Sequence, residues 1–63
     1  MNNYVLNYYV YKNPAYPADG IIPHLEHEFE AENDDKAREQ VRAFCATRSR
    51  TAVSLHRVVR LPL

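Results

Sequence analysis

His24 and His27, with Glu26 between them, have the residue types of a metal site. Residues three apart on a strand point to opposite faces, so the two imidazoles cannot share one ion. His24 and Glu26 do share a face, yet two ligands fall short of the four that a structural zinc site takes, and neither a metal nor another cofactor is expected. Ser54 and His56 stand at the spacing of a nucleophile and its base on one strand face, but no acid is placed to orient the imidazole. Cys45 lies between Phe44 and Ala46 on an apolar helical stripe, the setting of a core residue rather than of a nucleophile. The sequence has no glycine-rich phosphate loop, no G-x-S-x-G elbow and no H-E-x-x-H helix. It therefore reads as a non-enzyme with no evident small-molecule substrate.

Charge is the stronger signal. Formal net charge is zero, but residues 1–35 set seven acids against Lys12, and residues 36–63 set seven bases against Glu39. Such a division points to interaction surfaces unless the halves neutralise each other within the fold. In the acidic half, Glu26, Glu28, Glu30 and Glu32 alternate with Leu25, His27, Phe29 and Ala31, the period of a half-buried strand. The intervening residues must face a core, so the glutamates must face away from it.

Sixty-three residues make one domain with a core worth roughly 3–5 kcal/mol, a margin that a partner subunit would widen. One cysteine cannot close an internal disulfide, which favours a reducing compartment. The N-terminus has no basic leader and no apolar run long enough to span a membrane, so a soluble cytoplasmic protein is expected.

The elements that must position these residues follow from periodicity. Residues 3–11, "NYVLNYYVY", are uncharged, β-branched and aromatic, as suits a central strand. Residues 12–23 hold Pro14, Pro17, Pro23 and the only glycine, Gly20, and read as a long hairpin loop with a turn at Pro17–Gly20. A second strand occupies 24–32. From 34 to 48 the period changes, with Ala37, Val41, Phe44 and Cys45 forming one stripe of a helix that Asn33 or Asp34 caps. A third strand covers 52–61, closed by Pro62.

The fold expected is α+β: a three-stranded antiparallel sheet of order 2-1-3 with one helix on one face, which puts charged strands at the edges. The rival order 1-2-3 would pair strand 3 in parallel with strand 2 through a right-handed crossover. On an assumed register that could slip by two, four rows face the helix: Leu25, Val10 and Leu55; His27, Tyr8 and Arg57; Phe29, Leu6 and Val59; Ala31, Tyr4 and Leu61. The outer rows are Glu26, Tyr9 and His56; Glu28, Asn7 and Val58; Glu30, Val5 and Arg60. His27 and Arg57 fall in core phase, and the simplest reading sets them at the sheet margin with the guanidinium reaching water. A β-bulge at Val58 and Val59 would instead turn Arg57 outward.

Three interaction surfaces follow. The first is a homodimer interface on the outer face, from Val5, Asn7, Tyr9, Tyr11, Glu26, Glu28, Glu30, His56, Val58 and Arg60. There a two-fold axis near Asn7 or Tyr9 would set Glu26 and Glu30 against His56 and Arg60 of the mate. The second uses the acidic strand with Tyr16, Ile21 and Ile22 of the loop against a larger protein. These three residues either fold back to extend the small core, the preferred reading, or stay exposed as an anchor. The third is a weak nucleic-acid contact through Arg38, Arg42, Arg48 and Arg50, disfavoured by the compensating acidic strand and by the lack of any nucleic-acid motif. A small protein-interaction module that pairs with itself is the reading that best fits.

Overall fold

The computed structural model describes residues 1–47 and 49–59. Strand β1 runs Asn2–Tyr11, β2 Ile21–Ala31 and β3 Arg50–Val58, with the helix α1 at Asp34–Ala46 between β2 and β3. The sheet order is β2-β1-β3, and both pairings are antiparallel. The uncharged strand is central and the charged strands are edges, as the distribution of charge requires.

The hairpin is longer than the prolines suggest, because β2 begins at Ile21 rather than at residue 24. Its tip is a one-turn 3-10 helix, Pro17–Asp19, held by Asp19 N–H donating to the Tyr16 carbonyl and Gly20 N–H to that of Pro17. Gly20 leaves this turn at φ 98°, a backbone region that side chains with a Cβ rarely enter. Lys12 N–H then closes the hairpin on the Gly20 carbonyl at 3.0 Å.

Register departs from the assumed one. On β2 the slip is two residues: Tyr4 pairs with Phe29, Leu6 with His27 and Tyr8 with Leu25. On β3 it is four, with Leu6 opposite Leu55 and Tyr4 opposite Arg57. A bulge in each pairing changes the offset by one residue. Tyr9 faces both Pro23 and His24, between the Tyr8–Leu25 and Val10–Ile22 pairs, and His24 takes φ 61° there. On β3, pairing jumps from Ser54 to Ala52, so the bulge is at Val53 and not at Val58 and Val59.

The helix starts where Asn33 Oδ1 accepts from Lys36 N–H at 2.9 Å, so Asn33 is the cap rather than Asp34. It stops at Ala46, short of residue 48. There Arg50 serves the last turn, its Nη1 donating to the Phe44 carbonyl at 3.0 Å and to Thr47 Oγ1 at 3.2 Å. Arg48, Arg60, Leu61 and Pro62 lie outside the described residues.

Under the helix is a line of stacked rings. The Arg50 guanidinium sits 3.9 Å from the centre of Phe44, Phe44 lies parallel to His27 at 4.1 Å, and His27 stacks on Phe29, which stacks on Tyr4. Tyr8 closes on Phe44 edge to face at 5.1 Å. His27 is thus a half-buried core ring. Arg57 stays exposed at the sheet margin, donating to Asn2 Oδ1 at 2.9 Å.

This core is small: among the described residues only Tyr4, Leu6, Ala31 and Ala37 are fully buried. The molecule is a slab of 44 × 24 × 12 Å with a radius of gyration of 13.4 Å, where a compact chain of this length has about 11 Å. Its accessible surface of 4971 Å² exceeds the roughly 4,200 Å² of a compact monomer of its mass.

At the far end of the ring line the Tyr4 hydroxyl donates to Asp34 Oδ1 at 2.7 Å. That hydrogen bond, assisted by burial, raises the tyrosine above its ordinary pKa of 10.0. A raised folded-state value favours the neutral phenol. The stabilising contribution is therefore complete below about pH 10 and fades as pH climbs through the folded value. Urea titrations in this alkaline range should show the wild type losing stability more steeply than Tyr4→Phe; parallel curves would contradict the assignment.

Candidate outer sheet interface

Strand parity, fixed by the helix side, assigns the opposite face. Leu6, Tyr4 and Phe29 point at the helix, so Asn3, Val5, Asn7, Tyr9 and Tyr11 of β1 point away, flanked by β2 glutamates and β3 residues of the same parity. The rows observed are Glu26, Asn7 and Ser54; Glu28, Val5 and His56; Glu30, Asn3 and Val58. Tyr9 and Tyr11 extend this face along the hairpin, in edge-to-face contact at 5.9 Å. Among the described residues no element covers it.

The middle of the face is cross-linked by polar groups. Asn7 Nδ2 donates to Ser54 Oγ at 3.1 Å, and Ser54 Oγ lies 3.1 Å from His56 Nε2. Sequence spacing placed Ser54 and His56 on one face; Asn7 joins them only through the observed register.

The same register corrects the expected charge pairing. His56 stands level with Glu28 instead of Glu26, and Val58 with Glu30 instead of Glu28. Arg60 lies outside the described residues, and Arg57 is on the helix side. Among the described residues, β3 therefore brings to this face one imidazole and no guanidinium.

The other expected surfaces fare differently. Tyr16, Ile21 and Ile22 do not fold back: Tyr16 is 65% exposed, and both isoleucines are exposed at the hairpin end. The helix explains why, since 13 residues reach about 20 Å whereas the 10 of β1 extend about 33 Å, leaving the tip beyond its cover.

The arginines proposed for phosphate contact are dispersed. Arg50 is taken up by Phe44 and the helix end, Arg38 pairs with Asp35 at 3.3 Å, and Arg42 is exposed farther along the helix. Arg38 and Arg57 meet Asn2, Asn33, Asp34 and Asp35 in an open cleft of about 430 Å³ beside the helix start. Its two acids and two bases balance, and most are already partnered within the chain.

Cys45 is half-buried on the helical stripe. Among the described residues no three His, Cys, Asp or Glu side chains gather as metal ligands, and no helix is long and apolar enough to cross a membrane. Comparison with known protein families, curated proteins and solved structures finds no match to this chain.

Proposed function

We propose that this chain is a non-catalytic protein-interaction module that pairs with a second copy of itself through the outer sheet face. The observation that carries the reading is an uncovered three-stranded face bearing Val5, Tyr9, Tyr11 and Val58 on a slab only 12 Å thick. Packing two such faces about 10 Å apart turns two thin layers into a sandwich with an interior. Three strands about 4.8 Å apart and about 33 Å long offer roughly 450 Å² in projection, before side-chain relief is counted. The roughly 900 Å² from both copies lies below the roughly 1,200–2,000 Å² of stable interfaces, so a weak, micromolar dimer is the expectation.

Sedimentation equilibrium tests this over a wide concentration range. The expected result is a reversible monomer–dimer equilibrium, and a monomer persisting at high micromolar concentration would overturn it. A second reading, an adaptor that docks on a larger protein, rests on the exposure of Tyr16, Ile21 and Ile22 at a hydrogen-bonded tip. Pre-ordering an exposed aromatic lowers the entropy cost of inserting it into a partner's pocket. This tip and the outer face are compatible, because they use different parts of the hairpin.

A further inference from the structure

Resting on the self-pairing just proposed, we infer that the two-fold axis of the dimer runs along β1, and that Glu28 of each copy meets His56 of the other. Two in-plane axes bring the outer faces together with their strands aligned, the common packing of two sheets. An axis across the strands lays β2 over its own copy, so the rows of Glu26, Glu28 and Glu30 confront each other, and like charges across an interface exclude a pairing. An axis along β1 keeps every row at its own level and exchanges the edges: β2 then covers β3 of the second copy, while Val5, Asn7 and Tyr9 lie on the axis against themselves.

In that arrangement the row of Glu28, Val5 and His56 is self-complementary. Val5 meets Val5, and each carboxylate meets an imidazole.

The hydrogen bonds around His56 support the same pairing. Asn7 Nδ2 donates to Ser54 Oγ, and in the Nδ1-protonated tautomer of His56 the Ser54 hydroxyl donates to His56 Nε2. An imidazole accepting at Nε2 carries its own proton at Nδ1 and so presents a donor. The carboxylate opposite, from the second copy, is an acceptor for this donor, and its negative charge makes the hydrogen bond charge-assisted. Within one copy Glu28 and His56 sit on opposite sides of β1, two strand spacings apart, or about 10 Å.

Charge exchange tests the inference. Sedimentation equilibrium is run on the wild type, Glu28→Lys, His56→Glu and the combined Glu28→Lys/His56→Glu variant, with circular dichroism confirming the fold of each. Each single change should weaken the dimer about tenfold or more, by setting Lys against His or Glu against Glu. The combined variant restores Lys against Glu across an axis along β1 and should return to within about threefold of the wild type.

An axis across the strands would instead stack Lys on Lys and Glu on Glu in the combined variant, so the two changes would not compensate each other. That outcome, a stronger dimer from Glu28→Lys alone, or unchanged affinity in both single variants would overturn the inference while leaving a wild-type dimer intact. A monomeric wild type would overturn the self-pairing beneath it.

Discussion

Phe44→Ala is expected to remove half or more of this protein's stability at concentrations where it is monomeric. Phe44 is the ring on which the two ends of the core meet, stacked on His27 at 4.1 Å, capped by Arg50 at 3.9 Å and touched edge-on by Tyr8 at 5.1 Å. Truncating a fully buried phenylalanine costs about 3–5 kcal/mol, and this half-buried one should lose about 2–3 kcal/mol. Arg50 would also lose the surface its guanidinium lies on, although its bond to the residue 44 carbonyl survives the change. A domain of this size has only about 3–5 kcal/mol to lose. Urea unfolding followed by circular dichroism at low concentration measures the difference, with Arg42→Ala on the exposed helix face as the control. If both variants unfold at the same midpoint, the ring line does not hold the helix to the sheet.

Tyr9→Lys should abolish self-pairing while sparing the protomer. On an axis along β1 the two Tyr9 side chains face each other, so one substitution removes two aromatic rings and opposes two ammonium groups. Loss of about 2–3 kcal/mol of aromatic burial per interface, with repulsion added, raises the dissociation constant about 100-fold or more. The protomer should tolerate the change, because Tyr9 is only half-buried and packs on Tyr11 rather than on the core. Sedimentation measures the constant, and urea unfolding at low concentration measures the protomer. An unaltered dimer would place the interface on some other surface.

Much of the architecture was legible in the sequence because one-dimensional periodicity carries it. Alternation from Leu25 to Ala31 fixed which side of β2 is buried, and the stripe of Ala37, Val41, Phe44 and Cys45 fixed the helix face. Charge on β2 and β3 and its absence from β1 pointed to the strand order observed. Register was not legible. It depends on the bulges opposite Tyr9 and at Val53, and each bulge inserts one residue without altering the composition on either side.

The corrected pairings on the candidate face, where His56 is level with Glu28 and Asn7 with Ser54, follow from where the connections let the strands begin, β2 at Ile21 and β3 at Arg50. The length of the hairpin was also hidden. Pro23 read as the end of a loop, yet an edge strand tolerates a proline that has no ladder bond to donate, and β2 continues through it to Ile21. The same extension leaves Tyr16 and Ile22 past the end of the helix, exposed rather than folded back. The ring line was foreshadowed by His27 in core phase, but its parallel stacking on Phe44 depends on where the helix lies along the strand.

The most direct measurement is an isotope-filtered nuclear Overhauser experiment on an equimolar mixture of labelled and unlabelled protein at a concentration well above the dissociation constant. It detects only protons brought close across two copies. Cross-peaks between the Val5 methyls of the two copies, and between their Tyr9 rings, are the result expected. Intermolecular peaks confined to the helix or to the hairpin tip, or none in a sample that sediments as a monomer, would contradict it.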